Sequence, residues 1–287
     1  MILLTGAAGK TGISILQNLS QRGVAVRALV RNQQQVEKVA VFTNTEIIIG
    51  DLLEEASLSK AVNGVDTIYI ICPNMSPDEL YIVKSLIRIA QHNHVSRIVY
   101  HSVLHPHVEA MPHHWQKMRV EESLFTSGLD FTILQPCAYM QNILSGWKSI
   151  LEGQYVVPHK LNSRISIVDL ENIGQVAAKV LTETGHSNAI YELSGPEKLT
   201  QYEVANQIRE GINSPVQAIE QSRQTWRNNA RESGMQQTQV ELLIKMFEYY
   251  DKFGLVGNSS VLEFLLGSKP TTFKQFITRT ISSGDEG

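Results

Sequence analysis

Residues 1–4 form an unbroken apolar run, and after a glycine-rich turn Ile13, Leu16 and Leu19 recur at helical spacing. That order reads as strand, turn, helix. The alternation continues with a strand over 24–30, a helix over 33–41, a strand over 46–50 and a short helix over 55–62 that stops at Asn63-Gly64. A strand over 67–71 ends at Cys72-Pro73, and Leu80, Val83, Leu86, Ile87 and Ala90 then share one face of a helix over 77–93. A strand over 97–102, a histidine-rich loop, a helix over 114–127 and a strand over 131–135 complete the first half. Apolar strands separated by amphipathic helices predict βαβ units on a parallel sheet. Six of them suit a Rossmann-type, doubly wound α/β fold.

Beyond Pro136 the alternation loosens. A short strand over 165–168 precedes Asp169, which can cap a helix carrying Ile173, Val176, Ala177, Val180 and Leu181. Another strand is expected over 189–193. Thr200-Gln201-Tyr202-Glu203 has the spacing of a capping box and predicts a helix to about Gly211. A strand over 216–219 and a mostly helical tail, clearest over 240–253, follow. The pattern predicts a domain over 1–136 and a smaller α/β region over 137–287, interleaved with the first and forming its substrate side.

Composition narrows the class. The 287 residues can bury a sizeable core, and 43% hydrophobic with 18% charged residues is ordinary for a globular chain. A net charge of −3 gives no reason to expect nucleic acid or a membrane surface as partner. No apolar run approaches the length of a bilayer span, and a strand beginning at residue 1 leaves no room for a signal peptide, so a cytoplasmic location is expected. Cys72 and Cys137 cannot make a disulfide framework and fit a reducing compartment.

Candidate chemistry belongs beyond the carboxyl ends of the strands, where an open α/β sheet binds ligands. Gly6, Gly9 and Gly12 have the spacing G-x-x-G-x-x-G between strand and helix. Such a turn lets backbone approach a pyrophosphate, and the helix N-terminus offers it unpaired N–H groups, so Gly6, Ala8, Gly9, Lys10, Thr11 and Gly12 are expected to hold phosphate. Arg31 stands at the end of the second strand, where an NAD-binding chain would carry an acidic residue for the ribose 2′-hydroxyl. A guanidinium there suits a 2′-phosphate and predicts NADP. Asp51-Leu52 follows the third strand, where Asp51 either caps the next turn or bonds an adenine amino group. Cys72-Pro73, Ser102 and Gln135 end later strands on the same side. The thiols of Cys72 and Cys137 are expected to be buried and inert. Five of nine histidines (His101, His105, His107, His113 and His114) lie close together, but no cysteine or H-E-x-x-H spacing accompanies them, and no metal site is expected.

With Val26-Arg27-Ala28-Leu29-Val30-Arg31 and Gly50-Asp51-Leu52, the chain resembles the atypical short-chain dehydrogenase/reductases. Three later stretches, Lys117-Met118-Arg119-Val120-Glu121-Glu122, Thr132-Ile133-Leu134-Gln135-Pro136 and Tyr139-Met140-Gln141-Asn142, resemble its NmrA-like branch. That branch includes NADPH-dependent quinone reductases and catalytically silent NADP sensors. The resemblance implies that Cys72-Pro73 backs the nicotinamide and that Lys117 touches its ribose. Main-branch members reduce carbonyls with a serine and a Y-x-x-x-K pair. Ser102 and Lys117 match the serine and lysine, but His113 stands where the tyrosine would be.

A carbonyl reductase without its tyrosine lacks a proton for the developing alkoxide, whereas a quinone can take its proton from water. The expectation is therefore an NADPH-dependent oxidoreductase acting on a quinone or similar conjugated carbonyl, with Ser102, His113 and Lys117 as catalytic candidates. The alternative is a non-catalytic NADP(H) sensor that regulates a protein partner. A homodimer is compatible with either.

Overall fold

The computed structural model describes residues 1–284 and divides the chain into two compact units. The first comprises Met1–His107, His114–Pro136 and Leu170–Tyr191, and the second Val108–His113, Cys137–Asp169 and the residues from Glu192 onward.

In chain order the first unit contains β1 (Ile2–Leu4), α1 (Lys10–Gln21), β2 (Val26–Val30), α2 (Gln33–Val39), β3 (Thr45–Ile49), α3 (Glu55–Val62) and β4 (Thr67–Ile70). It continues with α4 (Glu79–His92), β5 (Arg97–His101), α5 (Pro112–Phe125), whose first two residues belong to the other unit, and β6 (Asp130–Pro136). The chain returns to it for α6 (Leu170–Thr182) and β7 (Ala189–Leu193), whose last two residues belong to the other unit. These strands form one seven-stranded sheet in the order β7-β6-β5-β4-β1-β2-β3. β1 pairs in parallel with β2 on one side and β4 on the other, Ile2 lying opposite Val26 and Thr67. The chain thus reverses its direction of progress across the sheet between β1 and β4, which is the switch point where such folds bind ligands.

The strands read as continuous apolar runs because helices cover both faces. Leu3, Leu4, Ile68, Tyr69, Ile70, Ile98, Val99 and Tyr100 are fully buried whichever face they occupy. The core between strands and α3–α5 gathers Leu58, Val62, Ile82, Leu86, Val120 and Leu124. Helix α5 begins two residues earlier than the apolar pattern predicts, because Pro112 suits the first helical position, where its fixed φ is favourable and its missing N–H costs nothing. The six expected strands are joined by β7, whose place at the edge rests on pairing with β6 across distant sequence and leaves no local signal.

The second unit has a three-stranded sheet of Ala138–Tyr139, Ile165–Val168 and Lys198–Leu199, and a parallel pair of Gln154–Val157 with Gln217–Glu220. Its core contains Met140, Trp147, Tyr155, Ile208, Phe273 and Phe276. The Asp169 carboxylate is fully buried there and accepts hydrogen bonds from Gln141 Nε2 at 2.6 Å and Arg279 Nη2 at 2.7 Å. The helix Gln201–Ile212 opens with the expected capping box, Thr200 accepting from Glu203 N–H and Glu203 accepting from Thr200 N–H. Replacing Thr200 by alanine is expected to lower stability by about 1 kcal/mol, read as an earlier urea midpoint at unchanged slope. Among the described residues no helix is long and apolar enough to cross a membrane.

Candidate cofactor and active site

The turn after β1 is built for close approach. Thr5 fastens it to the neighbouring strand, its Oγ1 accepting from Ile71 N–H and donating to Ile71 C=O, both at 2.9 Å. Gly6 has φ +61°, in the left-handed region, and a Cβ there would lie 2.9 Å from Ile71 Cβ. Gly12 lies in the first turn of α1 against the loop itself. A Cβ on it would stand 2.4 Å from the Gly6 carbonyl oxygen. The N-cap of α1 is Gly9, exposed and with no capping side chain, so the first N–H groups of α1 are not covered by a side chain of their own cap. This backbone cradle at the positive end of a helix fits a pyrophosphate.

Around it stand the other expected residues. Arg31 is exposed just beyond β2, and its backbone N–H donates to Gln35 Oε1 at 2.8 Å. Among the described residues its guanidinium makes no ion pair, and neither does the exposed Lys10. Asn32 is used locally, its Oδ1 accepting from Gln35 N–H as the N-cap of α2. Asp51 closes a turn by accepting from Leu53 N–H at 2.9 Å, and Leu52 is half-buried beside it.

Beneath the ends of β4, β5 and β6 the structure places polar groups that sequence reasoning left unconnected. Lys117 Nζ, on α5, donates to Glu79 Oε1 at 2.7 Å and to the His101 carbonyl at 3.2 Å, and sits 5.3 Å from the centre of the Tyr100 ring. Tyr100 OH donates to the same Glu79 oxygen at 2.8 Å, and the buried Cys72 thiol feels the Glu79 charge. Burial, then the Glu79 charge, push Cys72 and Tyr100 well above their ordinary ranges, so both stay protonated donors. Burial likewise pushes Cys137 up to about 12. Pro73 is exposed next to Cys72.

Ser102 and Gln135 do not face outward as separate groups. Both donate to Glu121, Ser102 Oγ to Oε1 and Gln135 Nε2 to both oxygens at 2.9 Å, and all three residues are buried. Burial raises the Glu121 carboxyl against the pull of those two donors. His113 is buried at the start of α5, one turn before Lys117. Glu79 and Glu121 are the residues that the sequence reading missed. For Glu121 a signal existed, because it follows Lys117 by four residues and His113 by eight, which puts all three on one face of α5. Glu79 looks in sequence like any acidic residue in a first helical turn.

The histidines are packing residues in part. His101 Nδ1 shares a 2.9 Å hydrogen bond with Tyr69 OH, and burial with the nearby Lys117 charge lowers His101 to about 3. His114 donates from Nδ1 to the His105 carbonyl at 3.3 Å and is lowered by burial to about 4. Both folded values lie below the ordinary 6.5, so the unfolded chain binds more protons in that window. Stability is therefore full above about pH 6.5 and falls as pH drops toward 4, by about 1.4 kcal/mol per pH unit for each group. Urea midpoints at neutral and mildly acid pH check this, and His101→Gln should flatten the dependence. Among the described residues no cluster of three His, Cys, Asp or Glu side chains could hold a metal ion.

A glycine-cradled helix N-terminus at the switch point of a 3-2-1-4-5-6 sheet, extended by one edge strand, defines a Rossmann-type α/β protein. More narrowly, the chain belongs to the NmrA-like family, whose model matches residues 1–280. It is 26% identical to the NAD(P)H azoreductase of Xenophilus azovorans over 286 residues, covering 96% of each chain. It is 24% identical to quinone oxidoreductase 2 of Escherichia coli, covering 97% of this chain and 98% of that one. Among solved structures, the Citrobacter sp. triphenylmethane reductase complexed with NADP(H) superposes with a TM-score of 0.85 at 23% identity, over 97% of this chain and 99% of that one.

Proposed function

We propose that the protein is an NADPH-dependent oxidoreductase that reduces a quinone or a similarly conjugated small molecule. The observation that carries this reading is the glycine cradle at the switch point together with the exposed Arg31 guanidinium beyond β2. The azoreductase and quinone oxidoreductase among its relatives support the same class of reaction.

In this reading the backbone from Gly6 to Gly12, with Ala8, Gly9, Lys10 and Thr11 between, holds the pyrophosphate. Arg31 and Lys10 neutralise the 2′-phosphate, and Asp51 with Leu52 borders the adenine. Cys72 and Pro73 back the nicotinamide, and Lys117 donates to its ribose. When bound, the reduced nicotinamide supplies hydride. The chain's own part is to hold, orient and exclude water. Ser102 and Gln135 act through Glu121 to keep the ends of β5 and β6 and the face of α5 in register. No tyrosine occupies the position four residues before Lys117, so the reaction suits an acceptor whose reduced oxygens take protons from solvent. His113 is the one titratable group at that position.

The first unit then serves the cofactor and the second the substrate. Two free cysteines, both buried, fit a cytoplasmic location. Steady-state NADPH consumption with a panel of quinones and azo dyes tests the proposal. Turnover above the protein-free rate supports it. Tight NADPH binding with no turnover on any acceptor would instead support a cofactor sensor.

A further inference from the structure

We propose that Glu79 is a positioning residue that aims Lys117 at the ribose of the cofactor's nicotinamide half. The inference rests on the cofactor reading above and adds to it a residue that touches no ligand.

A lysine is a poor fixed point by itself. Its ammonium rides on a flexible four-carbon stem and carries three rotatable donors. Here two of those donors are committed, to Glu79 Oε1 at 2.7 Å and the His101 carbonyl at 3.2 Å, and the Tyr100 ring lies against the ammonium. With those contacts fixed, the third donor has one remaining direction. The Lys117 side chain keeps 19% of its surface exposed, whereas that of Glu79 keeps 3%. The exposed part of the pair therefore lies on the lysine, and the carboxylate stands behind it.

Glu79 is itself held in place. It sits in the first turn of α4, where the helix dipole favours an anion. Tyr100 OH donates to it at 2.8 Å from β5, and Lys117 donates to the same oxygen from α5. Three successive pieces of the fold thus converge on one carboxylate: the α4 start, β5 and α5. The neighbouring Ser102–Glu121–Gln135 group has no such outward donor, since its hydrogen bonds close on Glu121.

The experiment uses the full chain carrying Glu79→Gln, which keeps shape and removes charge, and Glu79→Asp, which keeps charge and shortens reach. Each is titrated with NADPH and, separately, with adenosine 2′,5′-bisphosphate, which lacks the nicotinamide half. Glu79→Gln is expected to weaken NADPH by at least about tenfold and the bisphosphate by less than about twofold, the loss of one aimed charge-assisted hydrogen bond. Lys117→Met should show the same split, and the double variant should bind NADPH no worse than Lys117→Met alone. Glu79→Asp should recover part of the NADPH affinity.

Equal weakening of both ligands by Glu79→Gln would mean a merely structural ion pair and overturn the inference. So would unchanged NADPH affinity in Glu79→Gln beside a loss in Lys117→Met. If Glu79→Gln does not fold, Glu79→Asp carries the same test, with a selective NADPH loss supporting the inference and an equal loss overturning it. A wild-type chain that binds neither ligand contradicts the cofactor reading itself and the inference with it. One that binds NADPH without turning it over still lets the split decide.

Discussion

Replacing Gly12 by alanine is expected to lower NADPH affinity by at least about a hundredfold, the equivalent of losing roughly two charge-assisted hydrogen bonds to phosphate. The added Cβ would lie 2.4 Å from the Gly6 carbonyl oxygen and 2.6 Å from that of Ala7, and neither is a side chain that can swing away. Either the turn or the start of α1 must move. Both form the cradle, so the same displacement that relieves the clash misaligns the backbone donors. Overpacking of this kind also costs about 1–3 kcal/mol of stability. Calorimetric titration with NADPH and a urea melt of the free protein separate the two effects. Gly146→Ala is the control, because a Cβ there meets nothing within 4 Å and its φ of −110° suits any residue.

Arg31→Glu should invert the cofactor preference. Among the described residues the guanidinium makes no ion pair, and the side chain is exposed, so its removal leaves no buried charge behind and stability should stay within about 0.5 kcal/mol. Its fork of donors matches a phosphate bidentately, and an acidic residue at this strand end instead accepts from a ribose 2′-hydroxyl. Loss of two charge-assisted bonds, with a like charge put in their place, should weaken NADPH by about a hundredfold or more while NADH holds or gains. The ratio of the two dissociation constants is the readout. Equal weakening of NADH and NADPH would remove Arg31 from the 2′-phosphate site.

The fold was largely legible because its physics is local. Strands covered on both faces become apolar runs, as Leu3-Leu4 and Ile68-Tyr69-Ile70 do, and helices such as α4 keep one apolar face. The glycine turn and the Thr200–Glu203 capping box announce themselves by spacing alone. What escaped is what depends on distant partners. Ala138–Tyr139 and Lys198–Leu199 are two residues each, too short for any periodicity, and exist because Ile165–Val168 lies between them. β7 is a strand in sequence, but its place beside β6 is not written there.

The candidate site divides along the same line. Gly6 to Gly12, Arg31 and Asp51 follow from positions at strand ends and could be named in advance. Glu79 could not, because its partners Tyr100 and Lys117 come from two other elements that meet it only once the sheet has formed. Ser102 and Gln135 were named as separate groups at strand ends. The structure ties them to one another through Glu121, a residue that spacing along α5 would have suggested.

The central claim is that this cradle serves hydride transfer as well as binding. It is tested most directly by one measurement, a single-turnover reaction in which the preformed protein–NADPH complex is mixed without oxygen with a soluble naphthoquinone. The account predicts that NADPH absorbance decays faster than in the protein-free mixture, with one quinol formed for each bound NADPH consumed. A complex that holds NADPH tightly while its absorbance stays at the protein-free rate, with no quinol formed, would contradict it.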